Sequence, residues 1–438
     1  MEMQIPKQVT FIIDRLEKHG YEAYAVGGCV RDMLLGRVPN DWDITTSAKP
    51  EQVKAVFKRT VDTGIQHGTV TVLEDHIGFE VTTYRIDGEY TDGRHPDEVQ
   101  FTPDLKEDLR RRDFTINAMA YSPQSGIVDV FGGQEDLQNG IIRCVGSAEE
   151  RFHEDALRIM RAVRFAAQLG FSIEEETWNA VKKLAPNLKK ISAERIQTEL
   201  SKLLLSPHPE CFKMLYETGI TKVILPEFDT AMSCEQNTPY HCYSVGEHTQ
   251  EVMNHTPCDL PLRLTGLLHD LGKPLVKTTD ENGQDHFYGH PQESEKIARK
   301  ILRRLKYDNQ TIDRTCRLIR FHDYKINLDK KSVRRAVSKI GTDLFPDLLI
   351  FRRADAGAKP PHVYEETMKE LNQIEAFYQE IQENKECTSL KMLAVTGKDL
   401  IEAGMKPGKE LGETLERLLQ HVLENPEDNQ KDVLLKLV

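Results

Sequence analysis

Hydrophobic and polar positions follow two different periods along the chain. Between residues 21 and about 145, short runs rich in β-branched and aromatic residues alternate with helical segments, which predicts strands. The predicted strands are Ala23–Val26, Ile44–Thr46, Thr69–Leu73, Phe79–Tyr84 and Ile127–Val130. From about residue 147 onward, apolar residues recur every three or four positions, which predicts helices. The fold class is therefore predicted to be α+β, with a mixed sheet and helices first and an all-α remainder.

Breaks in these patterns indicate domain boundaries. The segments 206–209 and 386–389 interrupt the helical period with proline, serine and charged residues. We therefore divide the chain into residues 1–146, 147–206, 207–385 and 386–438. Residues 1–20 combine charged and apolar positions at helical spacing, which is typical of an amphipathic helix and not of a signal peptide.

The composition is that of soluble globular domains. The chain has 438 residues, of which 39% are hydrophobic and 29% charged. No run approaches the roughly 18 apolar residues that a membrane span requires, so we expect a cytoplasmic protein with no membrane partner. No obligate protein partner is evident. Eight cysteines without a C-x-x-C pair predict reduced, mostly buried thiols, and the Cys234, His241, Cys242 group lacks a second ligand pair for zinc.

The net charge of −12 does not favour nucleic-acid binding by the protein as a whole. Phosphate contacts need Lys and Arg, so their local distribution matters more. Residues 151–202 contain ten Lys or Arg against seven Asp or Glu. We therefore expect any RNA contact to be a basic stripe on an acidic protein.

The segment around Gly27 and Gly28 has the chemistry of a nucleotide-phosphate site. A strand, a Gly-Gly turn and a helix bearing Arg31 would bring backbone N–H groups and a guanidinium to an anion. Asp41 and Asp43 follow two residues apart in an extended segment, so both carboxylates point to one side. Two close carboxylates favour a cation, and Mg²⁺ also bridges to nucleotide phosphates. A solvated turn is the alternative when the aspartates are considered alone.

Gly-Gly-x-Val-Arg-Asp followed by Asp-Trp-Asp resembles the head domain of the class II tRNA nucleotidyltransferase and poly(A) polymerase family. The resemblance implies a polymerase-β-like head in which Asp41 and Asp43 hold catalytic Mg²⁺. It also implies that Gly28 and Arg31 bind the nucleotide. Glu80 is a candidate for a third carboxylate.

The next motif of the family matches Arg-Arg-Asp at residues 111–113. The resemblance assigns Arg112 to the nucleotide and makes Asp113 and Asn117 supporting candidates. Taken alone, this stretch would be interpreted as a solvated basic turn.

The segment 153–165 contains one aspartate and three arginines at spacings of three. If this segment is one helix, Asp155, Arg158 and Arg161 share a broad face and Arg164 lies at its edge. An Asp acceptor beside an Arg donor matches the base edge of cytosine and adenine, and leaves groups unpaired against uracil or guanine. In the family, the Asp and the first Arg read the base. The resemblance therefore assigns base reading to Asp155 and Arg158, and the triphosphate or ribose to Arg161 and Arg164. A salt-bridged helix is the alternative.

The same resemblance indicates which nucleotides the protein adds. The polar stretch between Tyr84 and Phe101 is predicted to be a mobile loop, and it is shortened in relatives that add only CC. Its presence favours addition of CCA to the 3′ end of tRNA from CTP and ATP. A-only addition and poly(A) polymerisation are the alternatives within this chemistry.

A second set of candidate ligands lies in the helical part. The order of these residues is similar to that in the HD superfamily of metal-dependent phosphohydrolases, which implies one ion held by His248, His269, Asp270 and Asp355. His290 and His322 are candidates for a second ion. Imidazoles with carboxylates suit Mn, Ni, Fe or Zn better than Mg²⁺.

The HD resemblance suggests a bacterial-type enzyme that also cleans damaged 3′ ends of tRNA by phosphoester hydrolysis. The second alternative for the chain is an HD phosphohydrolase whose head only binds RNA. The last segment resembles the tRNA-binding tail of the family, with Lys398, Lys406 and Lys409 as phosphate contacts.

Overall fold

The computed structural model describes residues 5–88 and 99–438. Contacts within the chain divide it into two compact units, Met1–Leu225 and Pro226–Val438. The finer four-part division stays a prediction, and each unit is described by itself below.

The first unit is built on a seven-stranded sheet. The strands in chain order are β1 Ala23–Val26, β2 Asp43–Thr46, β3 Thr60–Gly64, β4 Thr69–Glu74, β5 Ile77–Thr83, β6 Arg85–Asp87, β7 Val99–Phe101, β8 Met119–Ser122, β9 Gly126–Asp129, β10 Ile141–Ile142 and β11 Ser172–Ile173. The sheet has the order β3-β4-β5-β2-β1-β8-β9, with β2 and β5 parallel and the other neighbours antiparallel. All five predicted strands are confirmed within two residues at either end.

Two shorter pairs complete the β structure of this unit. Strands β6 and β7 pair antiparallel, and β10 and β11 pair parallel. Most of the loop that was predicted between Tyr84 and Phe101, residues 89–98, lies outside the described residues.

Helices cover the sheet and make up the rest of the first unit. They are α1 Lys7–Lys18, α2 Gly28–Leu34, α3 Pro50–Val56, α4 Leu105–Arg110, α5 Gly133–Asn139, α6 Ala148–Glu154, α7 Leu157–Leu169, α8 Glu175–Leu184, α9 Ala193–Leu204, α10 Phe212–Glu217 and α11 Thr221–Ile224. Helix α1 confirms the amphipathic prediction, because Val9, Ile12, Ile13 and Leu16 are buried on one face.

The prediction of one helix across residues 153–165 is wrong. Helix α6 ends at Glu154 and α7 begins at Leu157. Between them Asp155 has extended dihedral angles, φ −137° and ψ 105°, and its Oδ1 accepts a hydrogen bond from Leu157 N at 3.0 Å. An Asp side chain that caps the following backbone competes with helix continuation. Asp155 therefore does not share a helical face with Arg158 and Arg161.

The second unit is almost entirely helical. Its helices are α12 Pro226–Met232, α13 Val245–His255, α14 Leu260–Leu268, α15 Lys273–Val276, α16 His290–Arg304, α17 Asn309–Phe321, α18 Lys330–Ile340, α19 Phe345–Gly357, α20 Pro361–Glu383, α21 Gly397–Glu402, α22 Lys409–Glu424 and α23 Lys431–Leu434. A short antiparallel pair joins β12 Thr278–Thr279 to β13 Asp285–His286. The all-α prediction for this part is confirmed, since the β pair contains only four residues.

Two apolar clusters stabilise the second unit. One includes Phe345, Phe351 and Leu371 and lies between α18, α19 and α20. The other, which includes Leu400, Leu418 and Val422, contains only residues beyond 386. Each cluster removes its apolar side chains from water, the main favourable contribution to folding.

Reduced thiols and the lack of an apolar run long enough for a membrane span were also predicted from the sequence. All eight cysteines are free. The prediction of buried thiols is right for Cys29, Cys144, Cys316 and Cys387 but wrong for Cys242 and Cys258, which are exposed. Every helix of the described residues is too short or too polar to cross a lipid bilayer.

Candidate functional site

Asp41, Asp43 and Glu80 are neighbouring carboxylates in the first unit, since the Asp41 charge acts on both of the others. Asp43 is the first residue of β2, and it pairs in parallel register with Glu80 of β5, so the two side chains point to the same face. Burial raises the pKa of Asp43 and the Asp41 carboxylate adds to this, against the opposing effect of the Arg112 guanidinium. Burial, followed by the charges of Asp43 and Asp41, likewise raises the pKa of Glu80. Burial and neighbouring negative charge disfavour the ionised forms of Asp43 and Glu80, and a divalent cation would offset this cost.

The Gly-Gly turn between β1 and α2 leaves room for the Arg112 guanidinium near these carboxylates. Gly27 has φ +82°, a conformation that favours glycine, and a Cβ there would lie 2.8 Å from Nη1 of Arg112. The Arg112 Nε is buried and has no hydrogen-bond partner among the described residues. Gly27 therefore gives Arg112 the room to reach the cleft.

These groups line a cleft of about 530 Å³. The predicted site residues in its wall are Gly28, Arg31, Asp41, Asp43, Arg112, Arg161 and Arg164. An anionic ligand that carries a divalent cation fits this pairing of carboxylates with guanidinium groups. Asp155 and Arg158 are not among the residues that line the cleft.

A buried polar network fixes two of the arginines. Asp113 accepts hydrogen bonds from Arg161 Nε at 2.8 Å and from Asn117 Nδ2 at 3.1 Å, and Asn117 Oδ1 accepts one from Arg31 Nη1 at 2.7 Å. Although burial favours the neutral acid, the Arg161 guanidinium and the Asn117 amide hold the pKa of Asp113 well below its usual range. Asp113 and Asn117 therefore orient Arg31 and Arg161 in the cleft wall.

Phe165 is a site residue that the sequence analysis did not single out. The guanidinium carbons of Arg164, Arg31 and Arg161 lie 3.7, 5.1 and 5.2 Å from the centre of its ring. Cation–π attraction offsets part of the repulsion between these three charges. An apolar residue at helical spacing gives no signal of this role.

The two residues expected to read the base are held by other side chains. Asp155 forms an ion pair with Arg195, whose Nη2 lies 2.7 Å from Oδ2. Arg158 donates through Nη1 to Glu154 Oε2 at 2.6 Å and through Nη2 to the Arg111 carbonyl at 2.9 Å. Arg195 and Glu154 were not singled out in the sequence, because neither pairing follows from spacing alone.

The second unit brings all six HD-type residues together. Nε2 of His248 lies 3.1 Å from Asp355 Oδ1, and Nε2 of His269 lies 3.4 Å from Asp270 Oδ2. The other carboxylate oxygen of Asp270 lies 3.3 Å from His290 Nε2. Within the described part of the chain, two groups of three such side chains have ligand atoms within 4.8 Å of one another, His248, His269 and Asp270, and Asp270, His290 and His322. Neither group includes Cys234 or Cys242.

The imidazoles are oriented as metal ligands. His269, His290 and His322 each place Nδ1 within 3.0 Å of a backbone carbonyl, which fixes that nitrogen as the donor and leaves Nε2 facing the cluster. The pKa of His322 is lowered to about 3 by burial and by its histidine neighbours, so its ring is neutral. Asp270 Oδ1 and His269 Nε2 are buried without a hydrogen-bond partner in the described structure. Buried, unpaired nitrogen and carboxylate ligands fit a divalent transition metal.

Two lysines accompany this cluster. Lys273 Nζ lies 2.7 Å from Asp270 Oδ2, and Lys359 Nζ lies 2.5 Å from Asp355 Oδ2. Both line a cavity of about 490 Å³ together with Arg352, His248, His290 and His322, and the same wall carries the carboxylates of Asp270, Asp285, Asp323, Asp355 and Glu370. Within this mixed wall, the two ammonium groups and the Arg352 guanidinium are the groups that suit a phosphate-bearing ligand.

Three family models match parts of the chain. The model described as Poly A polymerase head domain matches residues 23–143, and the model of an RNA and SrmB-binding site of polymerase A matches residues 170–232. The model of tRNA nucleotidyltransferase domain 2 matches residues 287–438.

Curated relatives and solved structures agree with these matches. The CCA-adding enzyme of Enterococcus faecalis is 38% identical over 433 residues, which cover 98% of this chain and 94% of that enzyme. The CCA-adding enzyme of Lactiplantibacillus plantarum is 57% identical over 198 residues, and in that match the chain spans only 49% of the relative's length. The structure of the Bacillus stearothermophilus CCA-adding enzyme in complex with CTP is 32% identical, with a TM-score of 0.73 over 99% of this chain and 97% of that one.

Proposed function

Because the chain belongs to the family of CCA-adding enzymes, we propose that it adds C, C and A to the 3′ end of tRNA from CTP and ATP without a nucleic-acid template. The single observation that carries this proposal is the cleft whose wall combines Asp41 and Asp43 with Arg112 and Arg31. Phosphoryl transfer of this kind needs positioning and charge neutralisation and no covalent intermediate. The substrate also implies that the enzyme works in the cytoplasm.

Each group in the cleft has a distinct task in this reaction. Asp41 and Asp43 would hold Mg²⁺, with Glu80 in support, and the ion would neutralise charge on the triphosphate and lower the pKa of the attacking 3′-hydroxyl. Arg31, Arg112, Arg161 and Arg164 bind and orient the phosphates and ribose by charge-assisted hydrogen bonds. Gly28 lets the nucleotide approach the backbone of the turn.

Asp155 and Arg158 select the base in this proposal. An acceptor beside a donor pairs with the amino group and ring nitrogen of cytosine or adenine. Uracil or guanine would leave both protein groups unpaired, which costs a few kcal/mol. The Asp155 charge acts on Arg161 and the Arg158 charge acts on Asp113, and both of these residues lie in the cleft wall, which supports a role for the pair beside the proposed nucleotide site.

Nucleotide selection tests the transferase proposal. A tRNA that lacks its CCA end is offered each of the four NTPs singly, with Mg²⁺ and with EDTA. We expect metal-dependent incorporation of CMP, and of AMP only after two C residues are present. Incorporation of UMP or GMP at rates similar to CMP would contradict the assigned roles of Asp155 and Arg158.

The second unit supports an additional activity. We propose that His248, His269, Asp270 and Asp355 hold one transition metal, with Mn, Ni, Fe and Zn as candidates, and that His290 and His322 complete a second site at Asp270. An ion there would lower the pKa of a bound water for attack on a phosphoester. Lys273, Lys359 and Arg352 would then bind the phosphate group, which suits hydrolysis at damaged RNA 3′ ends.

Gly272→Ala is expected to weaken metal binding by about 10- to 100-fold, as for other changes to the support of metal ligands. A Cβ at Gly272 would lie 2.4 Å from the backbone N of Ser294, in the helix that begins with His290. The added methyl group would therefore push α16 and His290 away from Asp270. Titration of metal-stripped protein with Mn²⁺ measures the effect.

Gly412→Ala is the matched control for this experiment. Gly412 lies in α22 of the same unit, and a Cβ there would meet nothing within 4 Å. An unchanged Mn²⁺ affinity in Gly412→Ala with a lower one in Gly272→Ala supports the proposed site. Equal affinities in both variants would contradict it.

We further propose that the residues after 386 form a separate tRNA-binding tail, as in the predicted division at 146, 206 and 385. The apolar cluster confined to this segment supports the last of these boundaries. Lys398 and Lys409 have side chains that are 86% and 91% exposed, so both can reach phosphates.

A further inference from the structure

We propose that Arg195 is a positioning residue that sets base selectivity by fixing the carboxylate of Asp155. The inference rests on the proposed function, in which Asp155 reads the incoming base. Nη1 and Nη2 of Arg195 donate to the two carboxylate oxygens of Asp155 at 3.2 and 2.7 Å. Such a two-point contact fixes the plane of the carboxylate as well as its position.

The number of acceptor sites explains why this contact sets selectivity. An ionised carboxylate offers about four lone-pair sites. Arg195 uses one on each oxygen, and the backbone N–H of Leu157 uses a second one on Oδ1. About one acceptor site therefore remains, on Oδ2. A single fixed acceptor matches the exocyclic amino group of cytosine or adenine and offers nothing to the carbonyl group of uracil or guanine.

The Arg158 guanidinium is also held in place by hydrogen bonds to neighbouring groups. Its Nη1 donates to Glu154 and to the Arg151 carbonyl, and its Nη2 donates to the Arg111 carbonyl. A guanidinium has five N–H donors, so donors remain for a ring nitrogen of the base. Arg195 therefore holds Asp155 and Glu154 holds Arg158, the two residues proposed to read the base.

The position of Arg195 on its helix supports a role at the cleft. Arg195, Glu199 and Lys202 follow one another at spacings of four and three along α9, so they lie on the same face. Glu199 forms an ion pair with the cleft residue Arg164 at 2.6 Å, and Lys202 lines the cleft itself. One face of α9 therefore supports both the nucleotide cleft and the Asp155 carboxylate.

Without Arg195, the Asp155 carboxylate would be held only by the Leu157 N–H and could rotate. A rotating carboxylate aligns less well with the amino group of cytosine or adenine. A wrong base could then form hydrogen bonds with the reoriented carboxylate or with water. We therefore expect Arg195→Ala to lower the ratio of kcat/KM for CTP to that for UTP by at least tenfold. Arg195→Lys keeps the charge but not the two-point contact, so its ratio should lie between those of wild type and Arg195→Ala.

The ratio is measured with both nucleotides on the same preparation, so a smaller folded fraction lowers both rates equally and leaves the ratio unchanged. Arg143→Ala is the matched control, because it removes an ion pair with Asp136 in the same unit outside the cleft. We expect Arg143→Ala to keep the wild-type ratio. An unchanged ratio in Arg195→Ala, whatever its overall rate, would overturn the positioning role. Failure of the wild-type protein to select CTP at all would instead overturn the proposed function.

Discussion

Asp43→Asn is expected to lower the rate of CMP addition to tRNA by about 10³-fold. Asp43 lies beside Asp41 and Glu80, and its charge would hold the ion that neutralises the reacting phosphates. Loss of one metal ligand removes several kcal/mol of transition-state stabilisation, and about 4 kcal/mol corresponds to three powers of ten. Single-turnover incorporation of labelled CMP measures the loss.

The control for this variant is another aspartate of the same sheet. Asp62 lies on the exposed strand β3 and forms a surface ion pair with Lys54 at 2.9 Å. Exposed pairs of this kind contribute little, so Asp62→Asn should keep wild-type activity. Comparable losses in both variants would show that the effect is not specific to the cleft.

Asp43→Asn should not destabilise the folded protein. Burial and the Asp41 charge raise the pKa of Asp43, so the folded protein binds its proton more tightly than the unfolded chain does. Stability from this group is therefore lost as the pH rises through the raised pKa, and at neutral pH the ionised side chain opposes folding. In EDTA at pH 7, Asp43→Asn should melt at the wild-type temperature or slightly above it. A clear drop in melting temperature would attribute the lost activity to unfolding.

His269→Ala is expected to abolish metal-dependent phosphoester hydrolysis, by about 10³-fold or more, and to leave CMP and AMP addition within about twofold of wild type. His269 lies in the second unit and contributes an unpaired, buried Nε2 to the proposed metal site. Removal of a ligand from a catalytic ion costs several kcal/mol of charge stabilisation at that site only. Hydrolysis of a 2′,3′-cyclic nucleotide with added Mn²⁺ or Ni²⁺ measures the first activity.

His362→Ala is the matched control, because His362 belongs to the same unit and is exposed in α20, outside the cluster and its cavity. It should retain both activities. Hydrolysis that persists in His269→Ala would contradict the assignment of this cluster as the hydrolytic centre. A parallel loss of CMP addition in His269→Ala would show that the substitution disturbs more than the metal site.

Strands were predicted correctly where a clear pattern of apolar residues is followed closely by turn residues. The predicted strand Ala23–Val26 is found with the same bounds, because buried apolar residues there are followed by the Gly-Gly turn. Strand β3, Thr60–Gly64, was missed because it is an edge strand whose residues are mostly exposed and show no alternation. Strand β8, Met119–Ser122, was missed because it is buried throughout and gives no period of two.

Site residues were likewise predicted from local patterns only where they lie close together in the sequence. Gly28, Arg31, Asp41 and Asp43 lie within 16 positions of one another, and the structure brings them to one cleft as their motif indicates. The ion pair between Asp155 and Arg195 spans 40 positions, and the contact between His248 and Asp355 spans 107. The second contact was expected because the order of the residues resembles that of HD phosphohydrolases. The first has no local signal, because it depends on how α9 packs against α7, next to Asp155.

The number and order of nucleotides added to a tRNA test the central claim most directly. A tRNA that ends at the position before CCA is incubated with the protein, Mg²⁺, CTP and ATP together, and the 3′ ends of the products are sequenced. The proposed function predicts that most products end in C-C-A and are not extended further. A single A, a long A tail, or no extension in the presence of active phosphohydrolase would contradict it.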